Sequence, residues 1–498
     1  MLKVEGRGSR VAAAIPVALG ILALVGELPV LRSLATADLN WCYRYLLPDS
    51  YDWIHNGLYW AGADLTPSLR PPGLPLLIAL LWRLGALRFL PVLNFLALGA
   101  CAALLYRLLR TRHAPVVAAV ATWVFFSSAY VQELAKYVMA EVWATPFLVA
   151  AALAFLRAGT RPRAYLALGA LLGAGYLVHY AAAIAGAGFA AAVLLTRRDD
   201  LKRRELWLGS LLACLPPLAW LLFRSLQYRA RPELPTHVIE PLVSFSLVNI
   251  RAYLVTGAAL LGLALLPLYA AGLLELLARR GPDPYRTAVL APLLALLFFF
   301  GLWYRWVDKR FLFYAYPFAV CLLAQGLQDL VAWAGRARAA TVIAALYLPC
   351  ALAWNQIRYP APGLGQEFLA LTPRDFLDLA FHIEGARVTR VHPRLADAWS
   401  GGLFDDRLAP EPCPAGELPE LLRIKADLDH RLPRGEPVGF HSGPGWPSDY
   451  WSAVNRLGNV LLRPVVRPDQ ARHAVAMGEV PGARELSSAG RYRVLVRE

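Results

Sequence analysis

Stretches of about 20 apolar residues, each bounded by clusters of Arg, recur through the first 355 positions of this chain, and that alternation leaves few architectures open. Val11 to Leu31, Leu206 to Phe223 and Ala252 to Leu277 are each long enough as helices to cross a hydrocarbon core. Composition agrees: 58% of residues are hydrophobic, 17% are charged and the mean hydropathy is +0.45, whereas soluble domains carry roughly 25% charged residues. An ordinary soluble protein is excluded, and the expected fold is a polytopic α-helical membrane protein. The formal net charge of +15, from 50 Lys and Arg against 35 Asp and Glu, would suit nucleic acid if the cations formed a patch. They fall between the apolar runs instead, as membrane topology requires.

Six cysteines with no CxxC pair and no Cys/His array argue against zinc-thiolate and thiol-redox chemistry. Cys101, Cys214, Cys321 and Cys350 lie inside apolar runs and are expected to pack against neighbouring helices. Cys42 and Cys413 lie outside them, which leaves a disulfide between the two open.

Lys3, Arg7 and Arg10 precede the first run and favour a cytoplasmic N-terminus. That run exceeds the 7 to 15 residues of a usual signal-peptide core, so it reads as an uncleaved helix. The Arg clusters at 110–112, 157–163, 197–204, 278–281 and 335–339 alternate with Arg-poor loops, and eleven spans account for all of them. These lie near 11–34, 90–109, 114–131, 142–158, 163–179, 180–196, 205–224, 251–277, 286–303, 311–333 and 338–355. An odd number puts the tail on the outer side. PPGLPLLIALLWRLG, residues 71–85, is apolar but short, and counting it as a crossing would move the RTRH cluster outside. It reads as a helix in or dipping into the outer leaflet, with paired prolines setting its start, and a true short span is the competing reading. Residues 1–355 thus form a membrane domain with a first outer loop at 35–89. The tail, 356–498, has Pro/Gly-rich connectors, strand-like runs at RVTRV, PVGF, NVLL and YRVLV, and helical spacing in ELPELLRIKADLDHRL. It reads as a small extracytoplasmic α/β domain without a Walker loop, GxGxxG or nucleophile elbow.

On this topology the ionisable residues at the outer helix ends share one face: Asp38, Asp49 and Asp52, then Glu133, Lys136 and Glu141, then His179 and Tyr180, Arg229 and Arg231, and finally Arg305, Asp308, Lys309 and Arg310. Charges at the membrane edge of packed helices are costly unless paired or wet, which makes them functional candidates. Carboxylates can deprotonate an attacking hydroxyl, and Lys or Arg can hold a phosphate leaving group. The competing reading is a set of interfacial anchors and helix caps; Glu133, three residues before Lys136, fits a plain charge pair, and Trp53, Tyr59 and Trp60 fit an interfacial aromatic belt.

The stretch DSYDWIHNGLYWAGADLTPSLRPPGLPLLIALLWRLG resembles the first outer loop of the GT-C superfamily of membrane glycosyltransferases, in its bacterial branch of aminoarabinose transferases and relatives of protein O-mannosyltransferases. AKYVMAEVWATPFLVAAALAF is similar to the second acidic motif of that branch, and VDKRFLFYAYPFAVCLLAQGL to its basic-aromatic segment. The resemblance covers residues 1 to about 355. It implies transfer of a sugar from a polyprenyl-phosphate donor to an acceptor hydroxyl of a glycan, lipid or protein at the outer face of a cell-envelope membrane, and leaves a divalent metal open. By position it makes Asp49 the acceptor-activating base, with Asp52 its rival. Glu141 becomes the second acid, for acceptor positioning or metal contact, and Lys309 and Arg310 the phosphate-binding cations, with Arg305 in the same cluster. His179 either contacts donor phosphate or turns the helix hairpin. The alternatives are an O-antigen polymerase or ligase, whose long loop would fall between late spans, and a flippase or transporter, which would show paired interrupted helices in two halves. An inactive scaffold would look the same in composition.

Overall fold

The computed structural model describes residues 48–128, 137–230, 263–279, 283–304, 309–335, 338–356, 417–441, 457–477, 483–490 and 492–497, apart from single positions within and between these ranges. Among the described residues its membrane part consists of helices joined by short loops, and helices satisfy backbone N–H and C=O groups without water. Along the chain run α1 (Pro48–Trp60), α2 (Gly73–Arg83), α3 (Leu90–Arg110), α4 (Pro115–Ser127), α5 (Ala140–Ala158), α6 (Ala164–Val178), α7 (Ala181–Thr196), α8 (Arg204–Ala230), α9 (Leu266–Ala278), α10 (Pro284–Phe298), α11 (Leu312–Ala334) and α12 (Arg338–Gln356).

Nine of the eleven expected spans coincide with helices; the first lies outside the described residues, and of 251–277 the latter part is described, as α9. Five helical stretches among the described residues are long and apolar enough to cross a membrane: Leu87–Arg110, Ala140–Ala158, Arg204–Ala230, Pro284–Trp303 and Leu312–Ala334. Shorter apolar helices fill the bundle between them. α5 packs on α3 and α6, α10 on α7, and α11 on α4, α9 and α10. α8 sits at the periphery and meets α6 across two glycines: a Cβ on Gly169 would stand 1.8 Å from the Gly209 carbonyl oxygen, so the two backbones touch. Cys101 and Cys321 are buried as expected, whereas Cys214 and Cys350 are exposed. Both sit on peripheral helices whose outward faces are apolar, so an apolar run did not imply an inward side chain there.

α2 has 11 residues and rises about 16 Å, half of a hydrocarbon core of about 30 Å, so it cannot cross alone. It buries Leu74, Ile78 and Leu81 against α1 and its surroundings while Leu76 and Leu80 remain exposed, which makes it apolar on both sides.

At the bundle end away from the site described below, Arg112 bonds Asp283 at 2.5 Å and Gln325 at 3.1 Å, clasping α3 to α10 and α11. Burial opposes ionisation of Asp283, but the bonds from Arg112 and from the Arg286 amide hold its carboxyl below the usual range. Burial and the Arg112 and Arg279 charges push His113 down to about 4, so at neutral pH it is uncharged beside the Tyr285 hydroxyl, 3.2 Å away.

Residues 417–497 add α13 (Glu417–Arg431) and strands β1 (Val438–His441), β2 (Val465–Val466), β3 (His473–Met477), β4 (Ala483–Ala489) and β5 (Tyr492–Arg497). The sheet order is β2-β1-β3-β5-β4, with β1 parallel to β2 and β3, and β5 antiparallel to β3 and β4. Leu421, Ile424 and Leu428, spaced 3 and 4 apart on α13, close its core over Phe440, Val475, Tyr492 and Val494. PVGF and YRVLV lie in strands, but NVLL does not: residues 457–461 are helical. Leu457, Val460 and Leu461 face one core at helical spacing, a pattern four residues of NVLL were too few to reveal. RVTRV, Cys42 and Cys413 lie outside the described residues.

Candidate active site

Two polar clusters are built from the helix ends that the sequence singled out. The first belongs to α1. Pro48 and Asp49 open the helix, where a fixed φ and a negative charge both suit the first turn. Asp52 and Asn56 follow at i and i+4 on one face, and the chain after α1 returns to cover them. Ser68 Oγ lies 2.8 and 2.9 Å from the two Asp52 carboxylate oxygens. Asn56 Nδ2 donates to the same carboxylate at 3.1 Å, the Arg70 amide donates to Asn56 Oδ1 at 3.0 Å, and Arg70 Nε pairs with Asp52 Oδ2. The Arg70 guanidinium also stands over the Trp53 ring, 5.1 Å from its centroid. Between them Leu69 is held at φ 52°, a left-handed conformation costing about 1 kcal/mol for a non-glycine residue, and the bend is what turns Ser68 and Arg70 together onto Asp52. Tyr228, near the end of α8, donates to the Ser68 carbonyl at 3.1 Å.

The RPPG turn that follows is seated on α6. A Cβ on Gly73 would lie 2.8 Å from Val178 Cγ2 and 2.9 Å from the Leu177 carbonyl oxygen, so glycine is required by close approach of the backbones. Gly73→Ala is expected to cost about 1 to 3 kcal/mol through overpacking, read as a lower Tm of the full chain in lipid nanodiscs; an unchanged Tm would mean that the contact opens freely.

The second cluster lies where α5, α6 and α11 meet. Glu141 is in the first turn of α5 and is buried. The loop before it is pinned by Asn94 of α3, whose amide donates to the Ala135 and Tyr137 carbonyls at 3.0 and 2.7 Å and accepts from Trp143 Nε1 at 2.7 Å. Across from Glu141, the 3₁₀ turn Lys309–Phe311 brings Arg310 Nε to 3.8 Å from its Oε1. His179, between α6 and α7, stacks on Tyr314 of α11 with centroids 4.9 Å apart and accepts from the Ala181 amide at 3.2 Å. α10 ends in a π turn, Phe299–Trp303, that aligns Phe300 against Tyr314 and parallel to Phe311 at 4.9 Å. The Tyr180 ring lies beside His179, with centroids 5.6 Å apart.

An apolar groove of about 850 Å³ runs between α7 and α10, lined by residues including Ile184, Leu195, Leu290, Leu294 and Phe298. One end reaches Phe299, whose ring contacts Phe300 and thereby the stack that ends on His179.

The structure therefore joins Glu141 to Arg310 and sets His179 on the segment that follows Arg310, while Asp52 sits in its own bonded cluster. Asp49 and Lys309 have their backbones in α1 and in the turn beside Arg310; their side chains, like Arg305, Asp308, Glu133, Lys136 and Arg231 as a whole, lie outside the described residues. Ser68, Arg70, Asn94, Tyr228 and Tyr314 were not singled out from the sequence. Ser68 and Arg70 stand within the motif that carried the resemblance, and a buried cation beside an acid was the available signal.

Among the described residues no group of three His, Cys, Asp or Glu side chains converges. Glu141 faces Arg310, and Asp52 accepts from Ser68, Asn56 and Arg70, so both acids stand as counter-charges to a cation.

This helical frame has the fold of GT-C glycosyltransferases. It superposes on the crystal structure of ArnT from Cupriavidus metallidurans bound to undecaprenyl phosphate with a TM-score of 0.58 at 14% identity, covering 95% of this chain and 97% of that one. Archaeal oligosaccharyltransferase AglB from Archaeoglobus fulgidus, in complex with an inhibitory peptide and a dolichol-phosphate, gives a TM-score of 0.50 at 12% identity, over 93% of this chain and 69% of that one. In sequence, residues 69–223 match the family described as dolichyl-phosphate-mannose-protein mannosyltransferase, a stretch that begins one residue before Arg70 and contains Glu141 and His179. The GT-C resemblance read from the RPPG motif is thus borne out in both sequence and fold. A comparison with curated protein sequences finds no match.

Proposed function

We propose that this protein is an integral membrane glycosyltransferase that moves a sugar from a polyprenyl-phosphate donor to an acceptor hydroxyl at the outer face of the membrane. The observation that carries the reading is the Glu141–Arg310 pair beside the His179–Tyr314 stack, which ring contacts connect to an apolar groove of about 850 Å³. Arg310 offers five N–H donors, so it can face Glu141 through one edge and a phosphate through another. Lys309, next in the same turn, supplies the second cation, and Arg305 and His179 complete the surroundings of the phosphate.

In the proposed reaction Asp49 takes the proton of the acceptor hydroxyl as its oxygen attacks the anomeric carbon. The new C–O bond forms while the bond from the anomeric carbon to the phosphate oxygen breaks, and the electron pair leaves with the polyprenyl phosphate, where fixed positive charge stabilises it. Asp52 is the weaker candidate for base, because a carboxylate already accepting from Ser68, Asn56 and Arg70 has little capacity left for a substrate proton. Undecaprenyl phosphate is seen in ArnT and dolichol-phosphate in AglB, which supports a lipid-phosphate donor here.

The same reading requires eleven spans, a cytoplasmic N-terminus and an extracytoplasmic domain at 356–498. A topology reporter fused after Glu498 is expected to be active outside and one after Arg112 inside; the reverse would mean that residues 71–85 cross the membrane. The function itself is tested by incubating the reconstituted protein with polyprenyl-phosphate sugars and cell-envelope acceptors. Release of polyprenyl phosphate coupled to acceptor glycosylation is expected. Transbilayer movement of the intact donor without release would favour a flippase.

A further inference from the structure

α1 is gripped on two neighbouring faces. Asp52 and Asn56 are held by the returning 68–70 segment. Tyr51 and His55, also one turn apart, are held by a residue more than 400 positions away: Asn459 donates from Nδ2 to the Tyr51 carbonyl at 3.2 Å, and its Oδ1 lies 2.9 Å from His55 Nδ1. The bonding fixes the chemistry of the contact. A carbonyl only accepts, so the amide nitrogen faces Tyr51, the amide oxygen faces the imidazole, and His55 carries its proton on Nδ1. Asn459 and His55 are both nearly inaccessible, at 1% and 2% exposure, so neither finds water as a substitute partner.

The segment bearing Asn459 belongs to both halves of the protein. Leu457, Val460 and Leu461 are in the core of the C-terminal sheet, whereas Leu462, at φ 55°, packs against the membrane core. Arg463 then bonds Asp429 of α13 at 2.7 Å. A polar clamp carried on a segment anchored in both cores transmits the position of the sheet to α1 and has no need of contact with a substrate.

We propose that Asn459 is a positioning residue for the reaction: the C-terminal domain, through Asn459 and His55, sets the register of α1 and so the place of Asp49, two residues before Tyr51. This rests on the glycosyltransferase reading for its catalytic consequence, but the clamp itself is tested without it. In the full chain in nanodiscs, hydrogen exchange of residues 48–60 is compared for wild type, Asn459→Leu, His55→Ala and the double variant. Asn459→Leu, which removes both arms, is expected to speed exchange of that helix about tenfold, as the loss of a buried bonded pair does, and His55→Ala, which keeps the Tyr51 arm, by less, with exchange of β3 and β5 unchanged and the double variant no faster than Asn459→Leu. Asn459→Asp, which keeps the His55 arm and loses the Tyr51 arm, should fall between and serves if Asn459→Leu does not fold. Unchanged exchange at 48–60, or a double variant whose effect is the product of the singles, would overturn the proposal. In sugar transfer the same substitution is expected to lower kcat about tenfold with donor KM unchanged; a raised KM with unchanged kcat would also overturn it. A wild-type protein that transfers no sugar yet shows the exchange pattern would defeat the enzyme reading and leave the clamp standing.

Discussion

Replacing Asp49 with Asn lowers sugar transfer from a polyprenyl-phosphate donor by about 10²- to 10⁴-fold, the usual loss on removing a general base, while expression and donor binding stay near wild type. The change keeps the side chain's size and removes its basicity alone. Asp52→Asn gives the informative contrast. It removes the counter-charge of Arg70 and disturbs the Ser68 and Asn56 bonds, so its first effect is on stability of the 52–70 unit. Stopped-assay rates of the two variants, normalised to folded protein, check this. Full activity in Asp49→Asn with loss in Asp52→Asn would make Asp52 the base, and no effect in either would make the first-loop acids structural.

Arg310→Ala weakens donor binding by about 10- to 100-fold, because bonds to a charged group are worth about 1.5 to 3 kcal/mol each. It also strips buried Glu141 of its counter-charge, which by itself destabilises a protein by about 3 to 5 kcal/mol. The two effects separate in the double variant Arg310→Ala/Glu141→Gln: neutralising the acid restores much of the Tm and none of the affinity. Lys309→Ala, lacking the bidentate geometry of a guanidinium, gives a smaller loss of binding. Donor affinity unchanged in all three would move the phosphate site to His179 and Arg229 or Arg231.

The helical bundle was legible because burial in lipid leaves its trace in composition and in the spacing of Arg clusters. The shortness of α2 was legible too, since paired prolines set its start and its helix has 11 residues. The site was legible as residue types at helix ends and illegible as pairings. Nothing in the order of residues says that Glu141 faces Arg310, or that Asp52 is consumed by Ser68 and Arg70; such contacts depend on how α5 meets α11 and on the left-handed bend at Leu69. NVLL misled for a related reason: four apolar residues fit a strand or a helix face equally, and packing between two cores chose the helix. The role of Asn459 had no local signal, because its partners are Tyr51 and His55 at the other end of the chain.

A site that holds a polyprenyl phosphate should keep this lipid in a competitive retention experiment. The full-length protein is released from micelles containing equal amounts of undecaprenyl phosphate and phosphatidylglycerol, and the bound lipid is weighed by native mass spectrometry. One undecaprenyl phosphate is expected to stay on the wild-type chain in preference to phosphatidylglycerol, and the preference is expected to vanish in the Arg310→Ala/Glu141→Gln variant. Equal retention of the two lipids by the wild-type chain would mean that the site does not select a polyprenyl phosphate, and a preference that survives in the double variant would place that selection away from Arg310.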